Sequence, residues 1–385
     1  DNEGNTPLHC AMIAKAKGML ATFTQIGAQL NLGNARGQTI AHIAVLGGRL
    51  DTIKFLGNKK FKMDWNVRDV EGLSPALLAA KLGYEKVLDG LLKLGASASA
   101  TTEDGSSIVH LAAQGGHVSI IPICNSQAAP VDLPNAAGLR PIHLACQSGQ
   151  VQMVTALIRA LADPQAPDSV GDISLHYAVR SNHQDIVEVL LENSVEIDSK
   201  GQGGKTALHL AVEMENVPMI NFLTEKGCDC NAKDDQGETA LHYAVRQMCI
   251  PIIQILLTAG AATNTQSREG TSPLHIVAEQ ESPEITQILL GAGAEVNTRN
   301  TNRATPLHVA SRKGTIEQVA LFIEKQADLN MVDGDGNAPI HLATINCHLG
   351  ILTKLVEAGA NINSRDANGQ TALHLATSLQ REEFV

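Results

Sequence analysis

The sequence predicts an all-α solenoid, an array in which one helix-turn-helix unit is repeated, and three observations support this fold class. A short motif of the type Thr-Pro-Leu-His recurs along the chain, first at Thr6–His9, with a period of 33 residues. Hydrophobic residues make up 44% of the chain but aromatic residues only 3%, which is typical of small, interlocking side chains. The chain also holds 33 glycines, enough for turns in every unit. A fixed period of about 20 to 50 residues is typical of solenoids, whose units are stabilised by stacking on each other.

The histidine of the motif marks the register of the array. Successive motif positions are 33 residues apart, except for one step of 35 residues between His42 and Leu77, which replaces the histidine in the third unit. This spacing predicts one array over residues 1–385, with eleven full units and part of a twelfth, whereas length alone would suggest two or three domains. The units begin near residues 1, 34, 69, 102, 135, 168, 201, 234, 267, 300, 333 and 366.

Residues 204–236 show what is repeated. Thr206 is placed to cap a first helix, and apolar residues at helical spacing follow it as far as Val212. Pro218 suits the first turn of a second helix, which Gly227 ends. Turn-forming residues over 229–237 then lead into the next unit.

These units resemble the ankyrin repeat over the entire chain. The resemblance is carried by the Gly-x-Thr/Ser-x-x-His start, the Leu-Leu pair of the second helix and the Gly-Ala-x-x-Asn ending, which is clear in residues 256–264 and 289–297. The resemblance implies an ankyrin-repeat solenoid of L-shaped units with projecting hairpin loops and a concave face lined by first helices and hairpins. It also implies recognition of partner proteins or extended peptides, without catalysis.

Charge and composition exclude several other classes of function. The net charge of −11 and the isoelectric point near 5.7 argue against nucleic acid as the main partner, because phosphate binding needs a basic face. We expect no direct membrane insertion, since there is no run of 18 apolar residues. The odd number of cysteines, seven, predicts reduced packing residues in a cytosolic or nuclear protein. We expect a cytoplasmic location, with any membrane association made through a partner or a flanking domain. Cys228 and Cys230 are interpreted as packing residues rather than metal ligands.

The repeated histidines are interpreted as structural. Packed helices lie about 8–10 Å apart, so histidines in successive layers cannot share a metal with ligand bonds of about 2.0–2.1 Å. We expect each imidazole to bond its own Thr or Ser and a neighbouring backbone group, because buried polar groups are normally hydrogen-bonded. Leu77 lacks these bonds. The sequence shows no phosphate loop and no nucleophile with a paired base, and we therefore expect no enzyme activity, no cofactor and no metal.

The two-residue insertion before the third unit is the first candidate for partner binding. The projecting loop that contains this insertion carries the single Trp of the chain and three lysines. Either the aromatic side chains are displayed as an interface anchor or they pack on neighbouring hairpins, and the sequence leaves both alternatives open. The candidate residues are Lys59, Lys60, Phe61, Lys62, Met63 and Trp65.

A second candidate is the register four residues after each histidine, which in the ankyrin family faces the concave groove. Its charge alternates over five consecutive units, at Arg180, Glu213, Arg246, Glu279 and Arg312. These residues either form an intramolecular ladder between repeats or line a polar groove for an extended peptide of mixed charge. Near the N-terminus the register is apolar, and a hydrophobic ligand segment would suit Ile13, Leu46 and, one residue further on, Leu82.

Prolines in the fourth and fifth units predict an irregular joint. Pro122 falls inside a second helix, and 128–130 and 163–167 replace the usual helix ending. The alternative is a locally shortened helix that leaves the path of the stack unchanged. We expect the array to unfold in more than one step, with the break near Pro122 and Pro164.

One modification follows from the resemblance alone. Hairpin asparagines of ankyrin repeats are a type of substrate for an asparaginyl hydroxylase, and the alternative is that they serve only to hydrogen-bond the turn. The asparagines at this position are Asn31, Asn66, Asn231, Asn264, Asn297, Asn330 and Asn363.

The function predicted from the sequence is a protein interaction scaffold. Two alternatives stay open, a structural or elastic cytoplasmic segment of a membrane-associated protein, and the recognition portion of a larger enzyme or toxin. The chain begins in a repeat loop, and its last residues, 381–385, align with the start of a second helix. We therefore expect a monomeric array whose flanking repeats or domains are missing here.

Overall fold

The computed structural model describes residues 1–127 and 129–380. Two compact units are present, Asp1–Gly201 and Gln202–Val385, and each is described here by itself. In both units every complete repeat contains the two helices that the sequence predicts, and the fold is an all-α repeat solenoid. Ala128 and residues 381–385, which figured in the predicted joint and the predicted partial repeat, lie outside the described residues.

In the first unit, each first helix packs on the first helix of the next repeat and on its own second helix. The first helices are α1 (Pro7–Ile13), α3 (Ile40–Leu46), α5 (Pro75–Lys81), α7 (Ile108–Gly115), α9 (Pro141–Gln147) and α11 (Ser174–Arg180). The second helices are α2 (Lys17–Gln25), α4 (Leu50–Leu56), α6 (Glu85–Lys93), α8 (Ile120–Ser126), α10 (Val151–Arg159) and α12 (Gln184–Glu192). One turn of 3₁₀ helix follows α4, over Lys59–Phe61.

The second unit has the same arrangement. Its first helices are α13 (Ala207–Glu213), α15 (Ala240–Arg246), α17 (Pro273–Gln280), α19 (Pro306–Lys313), α21 (Pro339–Ile345) and α23 (Ala372–Ser378). Its second helices are α14 (Val217–Glu225), α16 (Ile250–Thr258), α18 (Pro283–Gly291), α20 (Ile316–Glu324) and α22 (Leu349–Glu357). A short 3₁₀ segment, Gln202–Gly204, precedes α13.

Stacking stabilises these helices, because helices of seven to nine residues are too short to be stable alone in water. In the second repeat, Ile40 and Val45 of α3 and Ile53 and Leu56 of α4 are all 0% exposed. Full burial of such side chains stabilises the fold by about 1.5–3 kcal/mol each. Ala44, also fully buried, leaves room for neighbouring first helices to approach closely.

The structural interpretation of the motif histidines is confirmed. The Nδ1 of His42 accepts from the backbone N–H of Thr39 at 3.1 Å, and its Nε2 donates to the Leu73 carbonyl of the next repeat at 2.9 Å. Burial lowers the pKa of His42, and it lowers the pKa of His143 to about 4, so these imidazoles are neutral near pH 7. Where Leu77 replaces the histidine, the Ser74 hydroxyl still accepts from the Leu77 N–H, at 3.4 Å.

The shortened second helix that one of the two alternatives for Pro122 predicts is present. Helix α8 has seven residues, whereas α6 and α10 have nine, and it begins at Ile120. Pro122 is therefore the third helical residue and lies in the first turn, where a missing N–H leaves no hydrogen bond unmade.

The second proline segment keeps a hairpin turn. The N–H of Ala166 donates to the Asp163 carbonyl at 3.3 Å, and the Ala166 carbonyl accepts from His143 Nε2 at 3.0 Å. The Ser174 hydroxyl donates to the Pro164 carbonyl at 2.6 Å. The division between the two compact units lies after Gly201, not at this segment.

Within the residues that the structure describes, no helix has both the length and the apolar character needed to cross a membrane.

Candidate partner-binding surfaces

A groove of about 530 Å³ lies at the C-terminal ends of α1 and α3, and we call it the N-terminal groove. Ile13 and Leu46, two of the predicted apolar residues, both line it and are 52% and 44% exposed. Leu82, the third, is 37% exposed and directly follows α5 but does not line this groove. The residues that line the groove include Ile13, Asn34, Arg36, Ile43, Leu46 and Arg49.

Hydrogen bonds hold the polar side of the N-terminal groove in place. The side-chain oxygen of Asn34 accepts from the N–H groups of Arg36 and Gln38, each at 3.0 Å. The Asn34 side-chain nitrogen donates to the Asn5 side chain at 3.0 Å. Because the hairpin is already ordered, a ligand that binds here has little conformational entropy to lose on the protein side.

Three residues of the charge-alternating register line one open pocket of about 320 Å³ in the second unit, which we call the charged groove. They are Arg246, Glu279 and Arg312. His275 of the motif and Asn300 of the following hairpin also line it. The predicted polar groove is therefore present as a geometric feature of this unit.

Among the described residues, one rung of the predicted charge ladder joins adjacent repeats, between Glu279 and Arg312. Three of the register residues pair with an oppositely charged residue eight positions earlier in their own repeat. These pairs are Asp172 with Arg180 at 2.5 Å, Lys205 with Glu213 at 2.9 Å, and Glu238 with Arg246, where the Nη1 to Oε2 distance is 2.9 Å. Arg180, Glu213 and Arg246 each have a partner within their own repeat, and the sign of the register residue reverses together with the sign of that partner.

Glu279 is the register residue that does pair with the next repeat. It lies 3.2 Å from Arg312 and 2.9 Å from Lys313. Burial works to raise the pKa of Glu279, but the bonds and charges of Lys313 and Arg312 outweigh it, and the pKa is lowered. The three side chains are 38–53% exposed, and exposed pairs of this kind contribute about 0–1 kcal/mol each. Their charges thus stabilise the stack only slightly and stay accessible from solvent.

The inserted loop before the third repeat folds back instead of displaying its tryptophan. Trp65 is only 6% exposed, so the packed alternative holds and the ring is not available as a partner anchor. Phe61 is half-buried and its ring lies 5.3 Å from that of Phe55, while Met63 is half-buried. Burial of the aromatic surface stabilises the loop, since water would otherwise cover it.

The lysines of the inserted loop, unlike Trp65, are exposed to solvent. Lys59, Lys60 and Lys62 are exposed. None of them forms an ion pair with any residue of 1–127 or 129–380. Of the predicted loop residues, the lysines are therefore the ones that stay free to meet a partner.

The hairpin asparagines bond the next repeat, and not only their own turn. The Asn264 side-chain oxygen accepts from the Glu295 N–H at 2.7 Å, and its nitrogen donates to the Gly293 carbonyl at 3.3 Å. Asn31 makes the matching bonds to the Asp64 N–H at 3.0 Å and the Lys62 carbonyl at 3.3 Å. The sequence signal for this role was the shared position in each unit, but the partner 31 residues onward could be found only from the fold.

The cysteines of the described residues form neither a disulfide nor part of a metal-binding cluster. None of the seven cysteines is in a disulfide within the described residues, and Cys228 and Cys230 are 9% and 5% exposed. No group of three or more His, Cys, Asp or Glu side chains suited to a metal occurs among the described residues.

Helix pairs that repeat in register, are locked by buried histidines and present open grooves define a helical-repeat scaffold. The family model described as ankyrin repeats, in three copies, matches overlapping segments from residue 12 to residue 385. The chain therefore belongs to the ankyrin-repeat family. The matched segments are 12–102, 77–168, 109–201, 142–234, 175–267, 249–333, 274–366 and 307–385.

Named proteins that the chain resembles are matched over part of their length. Ankyrin repeat domain-containing protein 63 of Mus musculus is 32% identical over 123 residues, which are 30% of this chain and 31% of that protein. Transient receptor potential cation channel subfamily A member 1 of Homo sapiens is 29% identical over 124 residues, 32% of this chain and 11% of the channel. Rabankyrin-5 of Mus musculus is 27% identical over 128 residues, 33% of this chain and 11% of that protein. Ankyrin repeats are generally protein-protein interaction modules, and this coarse function applies to the chain.

Proposed function

We propose that this chain is a recognition scaffold that binds an extended segment of a partner protein along its first-helix grooves. The observation that carries the proposal is the pair Ile13 and Leu46, two large apolar side chains about half exposed in one preformed groove. Apolar side chains that converge on one groove with a polar rim are typical of a binding site. A purely structural segment does not need them, so the pair favours recognition over an elastic role.

The N-terminal groove suits a ligand with apolar side chains on one side of an extended backbone. Covering apolar surface contributes about 25 cal/mol per Å² that is removed from water. Asn34 and Arg36 on the rim offer polar groups that can fix the orientation of a ligand backbone. In the second unit, the charged groove suits a ligand segment with charges of both signs, because Arg246, Glu279 and Arg312 line it.

Selection from a displayed library of random sixteen-residue peptides tests the proposal with the chain as it exists. We expect the selected peptides to share apolar residues at alternating positions. They should lose at least about tenfold in affinity for Ile13→Glu and for Leu46→Glu, because a buried charge must be desolvated.

Val356→Glu is the matched control. Val356 is 45% exposed on α22, close to the 44% of Leu46, and it does not line the N-terminal groove. If the control variant weakens the selected peptides as much as Leu46→Glu does, or if selection returns no peptides, the N-terminal groove is not the recognition surface.

A further inference from the structure

A second cavity in the first unit, separate from the N-terminal groove, lies between the inserted loop and the hairpin of the first repeat. Its volume is about 440 Å³, and we call it the finger pocket. Lys60, Phe61 and Lys62 line one side, and Leu30, Asn31 and Leu32 are on the other. The pocket forms because the insertion in this loop places a turn of 3₁₀ helix, Lys59–Phe61, shortly after α4, whereas the other 3₁₀ segment among the described residues, Gln202–Gly204, directly precedes a first helix.

The loop is held in one conformation. Asn58 caps the 3₁₀ turn, since its side-chain oxygen accepts from the Lys60 N–H at 3.1 Å and its carbonyl accepts from the Phe61 N–H at 2.9 Å. Asn31 donates to the Lys62 carbonyl at 3.3 Å, which joins the loop to the first hairpin across the pocket. The contact of Phe61 with Phe55 fixes the aromatic wall. A ligand therefore meets a preformed surface.

The charge of this surface is opposite to that of the chain. The chain carries a net charge of −11, yet residues 52–63 include four lysines and no acidic residue. No acidic residue lines the finger pocket. The nearest acid along the chain, Asp64, uses its side-chain oxygen to accept from the Asn66 N–H at 2.9 Å. Lys59, Lys60 and Lys62 form no ion pair with Asp64 or with any other acidic residue of 1–127 or 129–380.

The pocket also has an apolar part. Leu32 is 46% exposed, Ile26 is 73% exposed just before the lining hairpin, and Phe61 is half-buried. A ligand that satisfied both features would place acidic side chains near the lysines and one apolar side chain in the pocket.

We propose that the finger pocket is a docking site for an acidic protein segment that inserts one large apolar side chain between Phe61 and Leu32. This site is additional to the N-terminal groove and does not depend on it. An anionic bilayer is the weaker candidate, because only two lysines, Lys60 and Lys62, line the pocket, whereas recruitment to such surfaces relies on clusters of about four to eight basic residues. The net charge of −11 also makes the chain as a whole repel anionic surfaces. A bilayer also offers no side chain that could enter the pocket.

Fluorescence anisotropy with labelled twelve-residue peptides tests the proposal. One peptide carries a central Leu among alternating Asp and Glu, a second replaces that Leu by Ala, and a third replaces the acids by Lys. We expect the acidic Leu peptide to bind, the Ala peptide to bind about tenfold more weakly because less apolar surface is buried, and the Lys peptide not to bind. Raising the ionic strength should weaken the acidic peptides.

Two charge-matched variants locate the site. The triple variant Lys59→Glu, Lys60→Glu, Lys62→Glu should lose at least about tenfold in affinity. The variant Lys86→Glu, Lys325→Glu, Lys354→Glu changes three exposed lysines elsewhere by the same total charge and should bind almost as the original chain does. Circular dichroism checks that both variants are folded, and Leu46→Glu should leave this binding unchanged, which separates the finger pocket from the N-terminal groove.

The proposal is overturned if the acidic Leu peptide does not bind, if the Ala peptide binds equally well, or if both triple variants weaken binding to the same degree. It is also overturned if vesicles of phosphatidylcholine and phosphatidylserine bind the chain through these lysines while no acidic peptide does.

Discussion

His42 of the second repeat donates from Nε2 to the carbonyl of Leu73, 2.9 Å away at the start of the third repeat, and both residues are almost fully buried. The same histidine holds the start of its own helix, because its Nδ1 accepts from the Thr39 N–H at 3.1 Å. One side chain therefore links helix initiation within a repeat to the stacking of two repeats. Equivalent bonds recur down the chain, from His9 to Gln38 at 2.7 Å and from His275 to Ala304 at 3.0 Å.

These bonds predict that stability falls as the pH is lowered from 7 to 5. Burial lowers the pKa of six of the motif histidines below the ordinary value of 6.5, to about 4 for His143, so at these positions the unfolded chain takes up protons first. Stability is then fully present above about pH 6.5 and is lost as the pH falls toward the folded pKa, at up to about 1.4 kcal/mol per pH unit for each histidine. The histidines with lowered pKa are His42, His110, His143, His242, His275 and His308.

Urea unfolding at pH 7.5, 6.0 and 5.0 measures this effect. Most carboxylates titrate near pH 4, so the window from pH 7 to 5 reports mainly on the histidines. Equal free energies of unfolding at pH 7.5 and 5.0 would show that the histidines are not buried as neutral groups.

Replacement of a single buried motif histidine should lower the free energy of unfolding considerably. In His242→Leu, the Thr239 N–H and the Thr271 carbonyl lose the partners that they have at 3.1 and 3.2 Å. Buried groups left without a partner cost about 1–3 kcal/mol, so we expect the free energy of unfolding of the second unit to fall by about 2 kcal/mol or more. His374→Leu is the control, because His374 is exposed and bonds only within its own repeat among the described residues. A loss as large in His374→Leu would mean that the link to the next repeat contributes nothing.

The buried tryptophan predicts a large loss of stability from a substitution in the inserted loop. Trp65 is 6% exposed, and Trp→Ala at a buried position costs about 3–5 kcal/mol. Phe61→Ala, at a half-buried position of the same loop, should cost clearly less. Thermal unfolding of the two variants gives the comparison, and a Trp65→Ala variant as stable as the original chain would mean that the ring is displayed after all.

The unfolding boundary is expected near residue 201. The chain divides there into two compact units, and Gly201–Gly204 holds three glycines, of which Gly203 and Gly204 have φ values of +69° and +71°. Repeats contact mainly their neighbours, so cooperativity breaks where coupling is sparse. Hydrogen exchange should give residues 1–201 and 202–380 different protection. A boundary between residues 120 and 167 would instead favour the joint that the prolines predict.

The sequence predicted the repeated elements well because the same residue types recur at the same positions. A capping Thr or Ser and the histidine three residues later recur in most units, and a period shared by so many units leaves little choice of register. The histidine bonds followed from this pattern, since a buried imidazole needs two partners.

Features that occur once could not be settled in this way. Whether Trp65 is displayed depends on how the two inserted residues turn, and no second unit shares that insertion. The ion pairs between residues eight positions apart, such as Glu238 with Arg246, join opposite charges that the sequence contains. The alternation of charge along the register, however, favoured pairs between repeats rather than within them. Their geometry depends on the loop before each first helix, which folds back over the helix end.

Hydrogen exchange of the full chain, with and without a peptide selected from the random library, tests most directly whether the first-helix grooves are the recognition surface. We predict slower exchange in the segments that line the N-terminal groove, around residues 3–5, at Ile13 and over 34–49, with no change in α2 and in α4 beyond this range. Slower exchange confined to the second helices, or no change anywhere in the chain, would contradict it.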